Sequence, residues 1–141
     1  MISVCIPVYN IDVRPLIIAL EKQIQKLQCE GELVVIDDAS EERFRAINRD
    51  VCKRLNYTEL SENVGRARIR NMFVRYSRFN YLVFLDCDSL ILSDDFLSRY
   101  GNVMQQEGMP DVIVGGRVYS TQKPSPAYRL RWKYGLKREN K

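Results

Sequence analysis

Short β-branched runs alternate with amphipathic stretches along the first 116 residues, and no other feature restricts this chain so much. Ile2 to Val8, Glu32 to Ile36, a brief run near Asn56 to Thr58, Tyr81 to Leu85 and Asp111 to Val114 have the length and composition of strands. Between them run apolar stripes at helical spacing. These are Leu16, Ile17, Leu20, Ile24 and Leu27; Phe44, Ile47, Val51 and Leu55; Ile69, Met72, Phe73 and Tyr76; and Phe96, Leu97, Tyr100, Val103 and Met104. A strand can pair in parallel with the next one only after a crossover long enough to hold a helix. The pattern therefore predicts an α/β fold: a Rossmann-like, mostly parallel sheet with helices on both faces. Local signals suggest the boundaries. Arg14-Pro15 opens the first helix and Gly31 stops it. Ser40 caps the second, with Glu41 and Glu42 at its positive end, and Ser93 caps one running to about Gln106.

In such sheets ligands bind beyond the carboxyl ends of strands, where the strand order reverses. Tyr9, Asp38, Asp86 and Asp88 all fall at such ends. Asp86-Cys87-Asp88 directly follows the apolar run Tyr81 to Leu85, which reads as a buried strand, and alternation along it places both carboxylates on one face. Carboxylates that close repel each other, and both stay ionised most readily beside a cation. Hard oxygen ligands suit magnesium, manganese or calcium, and magnesium-like ions complete their shell with water and phosphate oxygens. The tripeptide thus points to metal-assisted diphosphate chemistry.

Composition removes several alternatives. There is no histidine, and Cys5, Cys29, Cys52 and Cys87 lie far apart, which excludes a zinc site and the Ser-His-Asp and Cys-His catalytic pairs. The cysteines read as reduced thiols of a cytosolic protein. No apolar run approaches the roughly 18 residues of a membrane span, and Met1-Ile2-Ser3-Val4 carries no secretory pattern. Charge is uneven: eight basic residues and one acid lie from Arg117 onward, against 14 basic and 17 acidic before it. The division expected is an α/β domain over residues 1–116 and a basic aromatic tail over 117–141. In the tail, Tyr128, Leu130, Trp132, Tyr134 and Leu136 alternate with Arg129, Arg131, Lys133, Gly135 and Lys137, which predicts a strand with one apolar and one basic face. Aromatic and basic residues together also suit a membrane–water interface, so peripheral membrane contact through 117–141 is expected. Specific nucleic-acid binding is not, because the body is acidic and its aromatics serve the core.

Five segments carry a resemblance to a known family. They are Ile6-Pro7-Val8-Tyr9-Asn10, Val35-Ile36-Asp37-Asp38-Ala39-Ser40, Asn63-Val64-Gly65-Arg66-Ala67-Arg68-Ile69-Arg70-Asn71, Phe84-Leu85-Asp86-Cys87-Asp88 and Gly115-Gly116. In this order and spacing the chain resembles the N-terminal, donor-binding half of family 2 glycosyltransferases, which have the GT-A fold. The resemblance covers most of residues 1–116. It implies a nucleotide-diphospho-sugar donor, most often a UDP-sugar, and a glycan or lipid-linked acceptor. By that resemblance Pro7 and Tyr9 lie against the base, and Asp38 hydrogen-bonds the uracil edge. Gly65 allows close backbone approach, and Arg66 or Arg70 counters phosphate charge. Asp86 contacts the ribose region, while Asp88, with Asp86 beside it, holds the Mg2+ or Mn2+ that bridges the diphosphate. Asp37 is read as a turn or cap residue.

These enzymes invert by direct displacement, and a carboxylate takes the acceptor proton. In the family that base lies well after the D-x-D, whereas after Asp111 this sequence has only Glu139. The expectation is a GT-A fold cut short at its C-terminal end, with the donor site present and the catalytic base unknown. It would act at the cytoplasmic side, peripherally at the inner membrane face, in polysaccharide biosynthesis. Two rival readings remain: a nucleotidyltransferase, disfavoured because Pro7 to Asn10 has no glycine, and a non-catalytic nucleotide-sugar-binding module.

Overall fold

The computed structural model describes residues 1–106, 108, 111–116 and 118–139. Four strands, β1 (Ile2–Val8), β2 (Gly31–Asp37), β3 (Asn56–Glu59) and β4 (Tyr81–Phe84), form one sheet in the order β3-β2-β1-β4. Every pairing is parallel, with Val4 opposite Leu33 on one side and opposite Val83 on the other. Helices α1 (Arg14–Ile24), α2 (Glu42–Val51), α3 (Arg66–Tyr76) and α4 (Phe96–Val103) fill the connections and the segment after β4.

Alternation along β1 and β2 builds two cores. Ile2, Val4, Ile6, Val8, Leu33 and Val35 point to the face covered by Leu16, Ile17 and Leu20 of α1, by Cys52 after α2, and by Leu97 of α4. Cys5, Val34 and Ile36 point the other way, against Ile69 and Phe73 of α3. The right-handed crossover rule explains this division. The chain steps outward from β1 to β2 to β3 through α1 and α2, then returns across the sheet to β4 through α3, so α3 must lie on the opposite face. The strand order therefore reverses between β1 and β4.

Several boundaries differ from those read in the sequence. β4 is not a buried strand: it lies at the edge of the sheet, with Tyr81 and Phe84 over 40% exposed. It also stops at Phe84, so Asp86 and Asp88 lie in a turn closed by the Ser89 N–H donating to the Asp86 carbonyl at 3.0 Å, and strand alternation does not set their directions. Gly31 opens β2 instead of ending α1, whose last helical residue is Ile24. The N-cap of α2 is Glu41 and that of α4 is Asp95, and α4 ends at Val103. Ser40 and Ser93 hydrogen-bond elsewhere: the Ser40 hydroxyl accepts the Asn10 N–H, and the Ser93 hydroxyl binds the Asp95 carboxylate.

The chain forms two compact units, Met1–Glu107 and Gly108–Lys141. In the second, Asp111 to Val114 is irregular and not a strand. Pro126–Tyr128 makes a single 3-10 turn that leads into α5 (Arg129–Arg138). The predicted tail strand is thus a helix. Arg, Leu and Lys all favour helices, and that propensity outweighs a period of two that had no partner strand to satisfy. Helical spacing brings Arg131, Trp132 and Gly135 to one side. There Trp132 donates to the Ser120 carbonyl at 2.7 Å, Arg131 pairs with Glu139 at 2.7 Å, and the Tyr119 ring packs on Gly135. A Cβ at Gly135 would lie 2.1 Å from Cζ of Tyr119, so the ring fits there only against a glycine. Among the described residues no helix is long and apolar enough to cross a membrane.

Candidate functional site

Beyond the carboxyl ends of β1 and β4, at the reversal of strand order, a cavity of about 330 Å3 opens within the first unit. Pro7, Val8, Tyr9 and Ile11 line it from β1 and the loop that follows, Asp38 from the end of β2, Asn63, Gly65, Arg66 and Ile69 from the start of α3, and Asp86, Cys87 and Asp88 from the turn after β4. Seven of the eight residues expected at the site from the sequence meet here. The eighth, Arg70, reaches it indirectly by donating to Asp86 at 2.6 Å.

Each loop is held by a specific polar contact. The Asp38 N–H donates to the Val8 carbonyl at 2.8 Å, extending the β1–β2 ladder by one bond. The Asp38 side chain, only 5% exposed, accepts the Val64 N–H at 2.7 Å with one carboxylate oxygen and the Gly65 N–H at 3.1 Å with the other. Asn63 returns its amide to the Asp38 carbonyl at 3.1 Å. Two backbone donors satisfy a buried carboxylate well, and here they fix the loop that starts α3. Gly65 sits at φ 82° and ψ 164°, a conformation essentially reserved for glycine, so the residue type is dictated by the turn. Asp37, fully buried, accepts the Ser40 N–H at 2.7 Å, as suits its expected turn role.

The two carboxylates in the turn after β4 differ. Asp86 is engaged by Arg70, and both side chains are about one-third exposed. Asp88 makes no hydrogen bond or ion pair among the described residues and stands at the solvent side. No group of three or more His, Cys, Asp or Glu among the described residues could hold a metal by itself. An ion here would take one or two carboxylates and complete its shell from a phosphate ligand and water, which is how magnesium-like ions are usually bound. Cys87, between the aspartates, has its thiol pKa pushed up by burial, so it stays protonated and neutral near pH 7.

Reasoning from sequence missed Asn10, Ser40, Cys87 and the apolar lining Val8, Ile11 and Ile69. Asn10 and Ala39 both adopt left-handed backbone, at φ 52° and 63°, each two residues beyond the end of its strand, β1 and β2 respectively. Non-glycine residues rarely do so, and they gather at functional sites. For Asn10 the signal was present, since asparagine tolerates that region; for Ala39 there was none.

Comparison with known proteins gives a consistent picture. A family model described as glycosyl transferase family 2 matches residues 3–141. An uncharacterized glycosyltransferase of Haemophilus influenzae is 31% identical over 112 residues, 75% of this chain and 43% of that protein. One from Rickettsia felis is 32% identical over 96 residues, 66% of this chain and 15% of that protein. The chain therefore spans less than half the length of these relatives. Among solved structures, S. aureus TarS superposes with a TM-score of 0.60 at 25% identity, over 73% of this chain and 19% of TarS. Its 1–349 segment, solved with UDP-GlcNAc, gives 0.55 at 26%, over 73% of this chain and 30% of the segment. The fold also matches a mannosyltransferase of Pyrobaculum calidifontis, solved with GDP-Man and Mn2+, with a TM-score of 0.58 at 24% identity, over 92% of this chain and 37% of that one. The sheet is thus that of GT-A glycosyltransferases.

Proposed function

The chain belongs to glycosyl transferase family 2, and from that premise we propose that its cavity is the donor site of an inverting, metal-dependent glycosyltransferase that uses a UDP-sugar. The observation that carries this reading is the meeting of Asp86 and Asp88 with Pro7, Tyr9, Asp38, Gly65 and Arg66 around one cavity at the switch point of a parallel sheet. The likeness to TarS, solved with UDP-GlcNAc and with UDP, supports uridine as the base.

Pro7 and Tyr9 supply an apolar wall for the base, and Asp38 meets its edge with the lone pairs left free by Val64 and Gly65. Gly65 lets the diphosphate approach the backbone. Arg66, in the first turn of α3, makes no salt bridge among the described residues and adds its charge to the positive helix end. Arg70, already engaged by Asp86, orients that carboxylate toward the ribose. Mg2+ or Mn2+ fits the hard oxygens of Asp88 and Asp86, and when bound it would neutralise charge on the departing nucleoside diphosphate. The acceptor is a glycan or lipid-linked sugar, the setting polysaccharide biosynthesis at the cytoplasmic face of a membrane. There the exposed basic residues of α5 would meet anionic lipid. The carboxylate that takes the acceptor proton is not assigned among the described residues.

Titration calorimetry of UDP into the chain, with and without Mn2+, tests the reading. Binding is expected only with the metal, and Asp88→Asn should weaken it at least about tenfold. Metal-independent binding, or unchanged affinity in Asp88→Asn, would overturn the site.

A further inference from the structure

Two loops border the base side of the cavity, the one after β1 that carries Tyr9 and the one after β2 that carries Asp38. Between them lies a pair of reciprocal hydrogen bonds. The Asn10 N–H donates to the Ser40 hydroxyl at 2.8 Å, and the Asn10 side-chain oxygen accepts the Glu41 N–H at 2.7 Å. Ser40 is 4% exposed and is itself held by its N–H on Asp37. Both loops pass through left-handed backbone at this point, Asn10 at φ 52° and Ala39 at 63°. Strain of that kind persists only where its surroundings over-determine it. Neither Asn10 nor Ser40 lines the cavity. Each is the chain neighbour, or next neighbour, of a residue that does.

We infer that Asn10 and Ser40 form a latch that positions the nucleotide wall: the reciprocal bonds clamp the β1 loop to the β2 loop and so hold Tyr9 and Asp38 at one spacing. The inference rests on the donor-site reading above. Tyr9 is 52% exposed and has little packing of its own to fix it, so its place depends on the backbone of Asn10. Asp38, in turn, ties the β2 loop to Val64 and Gly65. A loosened latch should therefore be felt first by the base and only weakly by the diphosphate, whose charge would be met by Arg66 and by the cation that Asp88 would hold, both on other elements.

The test compares UDP with inorganic pyrophosphate, each titrated with Mn2+ into the 141-residue chain and its variants. Asn10→Gly keeps the left-handed backbone accessible and removes the side-chain acceptor, so it isolates the latch from the strain. It should weaken UDP about tenfold, the upper end of what one intramolecular hydrogen bond contributes, and leave pyrophosphate within about twofold. Ser40→Ala should act the same way. Asn10→Asp keeps the acceptor and tolerates the left-handed region, so it should restore UDP affinity to within about threefold. Unchanged UDP affinity in both Asn10→Gly and Ser40→Ala overturns the latch. So does an equal loss for UDP and pyrophosphate, or a failure of Asn10→Asp to rescue. If the unaltered chain binds pyrophosphate but not UDP, the donor-site reading fails and this role falls with it. Thermal melts confirm that each variant is folded.

Discussion

Gly65 shows how one backbone torsion can hold a binding loop. A Cβ built there would meet nothing within 4 Å, so alanine does not clash, yet its φ of 82° lies where alanine is strained. The cost of that conformation, about 1–3 kcal/mol, would fall on the bonds that hold it, namely the Val64 and Gly65 N–H groups on Asp38. Gly65→Ala is expected to lower the melting temperature modestly and to weaken UDP, because the loop can relax only by leaving Asp38. A variant with unchanged stability and unchanged UDP affinity would show that the loop tolerates another conformation. The glycine was singled out in the sequence through the family resemblance, as a place of close backbone approach. The role of Asp38 as the anchor of that loop was not, because it depends on a contact spanning 26 residues along the chain.

Among the elements, α3 does most to assemble the site. Ile69 and Phe73 hold it to the sheet, Phe73 is fully buried, and its ring meets Phe84 of β4 edge-on at 5.8 Å. The same helix presents Arg66 to the cavity and Arg70 to Asp86. Phe73→Ala should cost about 3–5 kcal/mol, and Leu20→Ala on the other face about 2–5 kcal/mol. Compared under conditions where both remain folded, Phe73→Ala should lose more UDP affinity, since only it unseats the helix that carries both arginines. Equal losses would mean that α3 is held by its loop and not by its core side.

Elements whose partners are close in sequence were readable: β1, α1, β2 and α2 follow the alternation and spacing of Ile2 to Leu55. β4 was misread as buried because five apolar residues look alike in a central and an edge strand, and only pairing distinguishes them. The tail failed for the opposite reason. Its period of two was real, but a strand pattern without a partner strand forms no sheet, and Arg, Leu and Lys default to helix.

Taken over the whole molecule, charge separates along the chain: from residue 108 onward there are eight basic residues and two acids, whereas the preceding residues hold 14 basic and 16 acidic. In α5, Leu130, Lys133, Tyr134 and Lys137 recur at helical spacing on one face, and Leu130 and Tyr134 are 83% and 55% exposed. Arg131 is paired with Glu139 and lies 5.8 Å from the centre of the Tyr134 ring, while Lys133, Lys137 and Arg138 are exposed. An apolar ridge flanked by cations suits an anionic lipid surface, where each basic side chain near the surface contributes about 1 kcal/mol. The chain should therefore float with vesicles containing phosphatidylserine but not with phosphatidylcholine alone, and added salt should release it. Replacing Lys133, Lys137 and Arg138 together with glutamine should lower the partition coefficient roughly a hundredfold. The UDP affinity should not change, because every cavity residue lies in the other compact unit. Flotation that survives the triple replacement would assign any membrane contact to a surface other than α5, and no flotation with anionic lipid would leave the basic tail without that partner.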